Sequence, residues 1–188
     1  MIKIGVLIEE KELSEKEKTT ALAKACLGDD APEILYTGEG KPYFCSQNDN
    51  KNLQIDVSFS SNSAAVIIAD GFSECAIDIQ SSARVGLGRL FELFGSKAGA
   101  DAQTPESEIS SDKDTVILVS NQDGIYKANP ADIKLSYLSP LLAARDSLAK
   151  WTLLESGIKC RATEGIKTKT LLIKYKKNRY AATVAVCD

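Results

Sequence analysis

Three β-rich runs, QIDVSFS (54–60), AAVIIA (64–69) and ECAIDIQ (74–80), follow one another with turn signals at Ser61-Asn62-Ser63 and Asp70-Gly71 between them. Links that short make antiparallel hairpins, so this part of the chain is committed to sheet. Around it the order is mixed. KIGVLI (3–8) reads as a buried strand, and Ser14 with Glu17 has the spacing of a capping box. The helix it opens should turn Leu22, Ala25 and Cys26 inward and end at Gly28. EILYT (33–37) is a short strand before the turn GEGKP, and a helix is expected over 81–97.

The second half repeats that loose order. KAGADAQTPESEISSDKD (97–114) is small, acidic and poor in apolar residues, which predicts a mobile surface loop. TVILVS and IYKA, joined by NQDG, predict a hairpin. Ser139-Pro140 supplies a helix start, and that helix should run to about Lys159. TLLIKY and RYAATVAV, either side of KKN, predict a closing hairpin. The order of elements expected is therefore mixed α and β.

Composition removes several functions. With 188 residues, 44% of them hydrophobic, the chain can bury a core as one domain or two small halves. A net charge of -3 with scattered Lys and Arg argues against sequence-independent nucleic-acid binding, which needs concentrated positive charge. Five cysteines without a CxxC indicate neither a disulfide framework nor a zinc site, and reduced thiols in a cytoplasmic protein fit best. No apolar run approaches the roughly 20 residues of a membrane span. There is no histidine, so Ser-His-Asp and Cys-His catalysis and histidine-ligated metals are excluded. Acid–base or metal chemistry must rest on Asp, Glu, Lys, Tyr or water.

Two stretches have the residues for such chemistry. In AIDIQ, strand geometry projects Asp78 and Gln80 from one face and Ile77 and Ile79 from the other. A carboxylate and an amide oxygen then point together, either toward a cation or simply outward from a half-exposed strand. In KWTLLESGIK (150–159), Trp151, Glu155 and Lys159 recur at four-residue steps on one helix face. That face is either catalytic or a surface ion pair beside a core tryptophan.

Taken in order, GKPYF (40–44), VSFSSNSAAVIIA (57–69), AIDIQ (76–80) and WTLLESGIK (151–159) resemble successive signatures of the 4′-phosphopantetheinyl transferase superfamily, closest to its surfactin-type branch. The resemblance covers most of the chain outside about 98–138, which looks longer than the family's equivalent. It implies an α+β fold in a single domain over 1–188, built from two similar halves in pseudo-two-fold arrangement, each a small antiparallel sheet with a packed helix. The halves would meet near residue 82, and the coenzyme would lie between them. The implied activity is magnesium-dependent transfer of 4′-phosphopantetheine from coenzyme A to a serine of an acyl or peptidyl carrier protein by a cytoplasmic monomer.

By the same resemblance, Asp78, Gln80 and Glu155 would hold magnesium, and Glu155 and Lys159 would be catalytic. Lys41, Pro42, Ser58, Phe59 and Lys159 would meet the coenzyme. The sequence also departs from the family. Its Ser-His-Ser is here Ser58-Phe59-Ser60, its Gly-x-Asp is Ala76-Ile77-Asp78, its following acid is Gln80, and its Lys-Glu is Leu154-Glu155. A phenyl ring offers no donor to a phosphate, so Phe59 is equally a core aromatic opposite Ser58 and Ser60. The departures keep two other expectations open: an impaired relative that binds carrier protein or coenzyme A without transfer, and a plain interaction domain.

Overall fold

A computed structural model describes residues 1–8, 13–45, 53–82, 114–143, 147–160 and 165–187. They form an α+β fold in which two sheets stack face to face and a helix covers each outer face. The strands are β1 (Ile2–Ile8), β2 (Ile34–Tyr36), β3 (Pro42–Phe44), β4 (Leu53–Ser60), β5 (Ser63–Asp70), β6 (Glu74–Ser81), β7 (Thr115–Asn121), β8 (Gly124–Lys127), β9 (Ile133–Leu138), β10 (Lys167–Tyr175) and β11 (Asn178–Cys187). The helices are α1 (Glu15–Leu27), α2 (Pro140–Ala143) and α3 (Ser147–Lys159). The first sheet has the order β4-β5-β1-β7-β8, the second β6-β11-β10-β9, and β2-β3 form a separate hairpin.

Strand periodicity explains the layers. In β5, Ala65, Ile67 and Ala69 enter the core between the sheets, where they join Ile4, Val6 and Ile8 of β1. Ile77 and Ile79 of β6 and Val184 and Val186 of β11 enter it from the other side. The alternate residues Ala64, Val66 and Ile68 face Leu22, Ala23 and Cys26 of α1. Because β5 is covered on both faces, AAVIIA is apolar throughout.

Helix α1 begins at the predicted capping box. The Ser14 hydroxyl accepts from the Glu17 N–H, and the Glu17 carboxylate accepts from the Ser14 N–H at 2.8 Å. Its inward residues are Leu22, Ala23 and Cys26, with Ala25 only half-buried. Gly5 lets the helix sit close to β1. A Cβ there would lie 2.9 Å from Val66 Cγ1 and 3.0 Å from Cys26 Sγ.

The strands do not divide by halves. β6, from the first half, pairs antiparallel with β11 in the second sheet, and β7, from the second half, pairs parallel with β1 in the first. The first sheet is thus mixed rather than antiparallel, which the long excursion between β1 and β7 permits. β7, β8 and β9 lie within 98–138, so this segment supplies members of both sheets. β9 was not expected, although Ile133, Leu135 and Tyr137 alternate with Lys134 and Ser136 as a strand requires. The expected helix 139–159 is represented by α2 and α3, with 144–146 outside the described residues. The expected helix over 81–97 and loop over 97–114 also fall largely outside them.

Candidate functional site

The candidate residues gather where the edge strands of the two sheets meet, at β4 and β6, beneath α3. Leu53, Ile55, Val57 and Phe59 of β4 turn toward α1, so the alternate Asp56, Ser58 and Ser60 turn toward β6. There they replace the backbone partner that an edge strand lacks. Asp56 Oδ2 accepts from the Ile77 N–H at 2.8 Å. Ser58 Oγ accepts from the Ile79 N–H at 3.3 Å and donates to Asp78 Oδ1 at 2.9 Å. Ser60 Oγ donates to Gln80 Oε1 at 3.3 Å. Asp78 and Gln80 therefore share a face, as predicted, but Asp78 is not half-exposed: it is 5% exposed.

Helix α3 brings the remaining groups. Its buried side carries Leu148, Ala149, Thr152, Ser156 and Cys160. The Thr152 hydroxyl lies 2.8 Å from that of Thr183 on β11, which lies 2.8 Å from that of Thr170 on β10. This buried row of hydroxyls fixes the helix on the sheet. Lys159 then extends to β6, donating to the Ile77 carbonyl at 2.6 Å and standing 3.5 Å from Asp78 Oδ1. Lys159 thus pairs with Asp78 rather than with Glu155, so the surface i,i+4 pair, one of the two readings of this face, is not what forms. Trp151 and Glu155 are half-buried on the same side of the helix.

Electrostatics tie these groups together. Burial pushes the Asp78 carboxyl above the usual carboxylate range; the Lys159 ammonium and the Ser58 hydroxyl oppose this, and the Glu155 charge adds to it. Asp78 and Glu155, from the two halves, are therefore near enough to repel. Burial also raises Asp56, opposed by the Ile77 N–H and by the Lys159 and Lys41 charges. Lys41 is exposed at the end of the β2–β3 turn, where its N–H donates to Thr37 Oγ1. The next residue, Pro42, is buried.

The structure thus brings Ser58, Asp78, Gln80, Glu155 and Lys159 to one seam, leaves Lys41 exposed on the β2–β3 turn with its charge felt at Asp56, and places Phe59 on the opposite side of β4, packed against the cluster beneath α1. Sequence reasoning missed Asp56, whose only signal was the period of two it shares with Ser58 and Ser60. It also missed the three threonines, which are far apart in the chain.

Chemically, the seam suits a hard cation or a phosphate. Asp78 Oδ2 is buried with no hydrogen-bond partner, and Glu155 supplies a second carboxylate nearby. Two carboxylates and an amide oxygen fit magnesium, which prefers oxygen ligands and keeps several waters. Among the described residues, however, no three Asp, Glu or Cys side chains form a metal-ion cluster. No helix among them is long and apolar enough to cross a membrane. No protein-family model matches the chain, and no curated protein matches it.

Proposed function

We propose that the protein is a 4′-phosphopantetheinyl transferase of the holo-acyl-carrier-protein synthase type. It would transfer phosphopantetheine from coenzyme A to a carrier-protein serine and release 3′,5′-ADP. The observation that carries this reading is the convergence of Asp78 from β6 with Glu155 and Lys159 from α3. These residues come from two of the four motifs behind the family resemblance, and Lys41, from a third, is felt electrostatically at Asp56. In this reading the chain is a cytoplasmic monomer whose similar halves are related by a pseudo-two-fold.

The reaction joins the serine oxygen to the phosphorus on the pantetheine side of the pyrophosphate and breaks the bond to 3′,5′-ADP. Magnesium, when bound, supplies positive charge to the pyrophosphate oxygens. Asp78 and Glu155 would hold it, with Gln80 offering a neutral oxygen. Glu155, directly or through a water, takes the serine proton. Lys159 exchanges its contact with Asp78 for one with the pyrophosphate, stabilising the charge that moves to the leaving group. Lys41 meets the outer phosphate as a point charge, and Pro42 stiffens the turn that presents it. Phe59 adds no phosphate contact from its side of β4, and the buried Ser58 hydroxyl is already engaged with Asp78 and the Ile79 N–H, so coenzyme binding relies on the two lysines.

A second reading, an impaired relative that binds coenzyme A or carrier protein without transfer, rests on Lys159. With its ammonium 3.5 Å from Asp78 Oδ1, it already supplies countercharge of the kind a metal would bring. Intact-protein mass spectrometry of apo carrier proteins incubated with this protein, coenzyme A and magnesium separates the two. A gain of one phosphopantetheine that EDTA abolishes is the result expected of the transferase. No gain on any carrier, with coenzyme A still bound, would establish the second reading.

A further inference from the structure

Cys160 follows Lys159 at the end of α3, and Cys187 closes β11. Their sulphurs are 2.7 Å apart, although the residues are 27 positions apart in sequence. Both are free thiols, 3% and 1% exposed, in a small apolar cluster with Ala76 and Ala185. A covalent S–S bond is about 2.05 Å long, so closing the pair requires less than about 1 Å of movement. The pairing is also selective. Cys75 stands opposite Val186 in the ladder between β6 and β11, which turns its side chain into the core between the sheets and away from Cys187. Cys26 belongs to the layer beneath α1.

We propose that Cys160 and Cys187 are a reversible disulfide site that staples the end of α3 to the last strand. With a peroxide as oxidant, one thiolate attacks a peroxide oxygen and becomes a sulfenic acid, and the O–O bond breaks to release water. The second sulphur then attacks the sulfenic sulphur and expels a second water. Two thiols and one hydrogen peroxide thus give one disulfide and two waters. Burial, followed by the contact with Cys187, pushes the Cys160 thiol up, so the reaction is slow at neutral pH and quickens as pH rises. The staple would hold the helix end from which Lys159 reaches Ile77 and Asp78. The inference does not depend on the transferase reading.

The test treats the reduced full chain with hydrogen peroxide, alkylates the remaining thiols and maps the unreduced digest by mass spectrometry. A Cys160–Cys187 cross-linked peptide is expected, formed faster at pH 9 than at pH 7 and reversed by dithiothreitol. The oxidised protein should also melt several degrees above the reduced one, because the link constrains the unfolded chain. In Cys187→Ser, peroxide should produce no such shift. Recovery of Cys160 and Cys187 as separate alkylated or sulfinic peptides would overturn the proposal, as would a cross-link from either to Cys75, Cys26 or Cys45. The peptide map of the unmutated chain decides even if the variant fails to fold.

Discussion

Strand β6 has two unlike flanks. Toward β11 it is held by an antiparallel ladder running from Glu74↔Cys187 to Ser81↔Tyr180. Toward β4 its Ile77 and Ile79 N–H groups end on a carboxylate and a hydroxyl, and the Ile77 carbonyl ends on an ammonium. A backbone ladder with apolar side chains above it meets its hydrogen bonds almost regardless of side-chain identity. The β4 flank meets them only with these particular side chains, and it buries the Asp78 carboxylate to do so. Burying charge costs stability unless it is well paired, and Asp78 Oδ2 has no hydrogen-bond partner. One flank therefore holds the fold together, and the other gives up stability to hold a charged cluster in place.

The sharpest way to break that contrast is to mutate each flank once. Glu155→Gln, beside the β4 flank, keeps the size of a half-buried side chain and removes one carboxylate charge. It should lower carrier-protein modification by about 100-fold or more, the scale of losing one directly acting group, while the unfolding midpoint stays nearly unchanged. Retained turnover would remove Glu155 from the mechanism. Val184→Ala, on the β11 flank, empties space in the fully buried core opposite Ile77. It should cost about 2 kcal/mol or more in urea unfolding and leave turnover per folded molecule unaltered. If Val184→Ala instead abolished transfer in folded protein, the two flanks would not be separable.

The sequence displayed these flanks unequally. ECAIDIQ and RYAATVAV announce themselves as strands through β-branched, alternating residues, and Ser14 with Glu17 marks the start of α1, because those signals are local. Which strands become neighbours is set by packing across the chain. The exchange of β6 and β7 between sheets, and the row Thr152, Thr183 and Thr170, therefore have no local signature. Asp78, Glu155 and Lys159 could be singled out through the family resemblance. That Lys159 turns to Asp78 and not to Glu155 could not, since helix spacing alone favours the i,i+4 pair. Asp56 escaped because in sequence it is one more polar residue in an alternating strand. Its role depends on β6 arriving at its side chain.

The smallest expected effect concerns pH. Asp56 and Asp78 both have carboxyls raised by burial, so between the unfolded and folded values the native state binds more protons than the unfolded chain. A group raised in this way contributes stability that is fully present below its unfolded pKa and lost as pH rises through the folded one. These two residues should therefore make the protein gain stability as pH falls from neutral into the upper carboxylate range, opposite to the usual approach to acid denaturation. Urea midpoints at pH 7.5, 6 and 5 would measure it. In the double variant Asp56→Asn, Asp78→Asn the difference across these pH values should shrink, because the hydrogen-bond acceptors remain but the titrating groups do not. Val184→Ala should lower all three midpoints and keep the wild-type trend, since it removes only apolar volume and leaves Asp56 and Asp78 in place. A trend unchanged in the double variant would place the titration elsewhere and end the claim that the charged flank carries a stability cost.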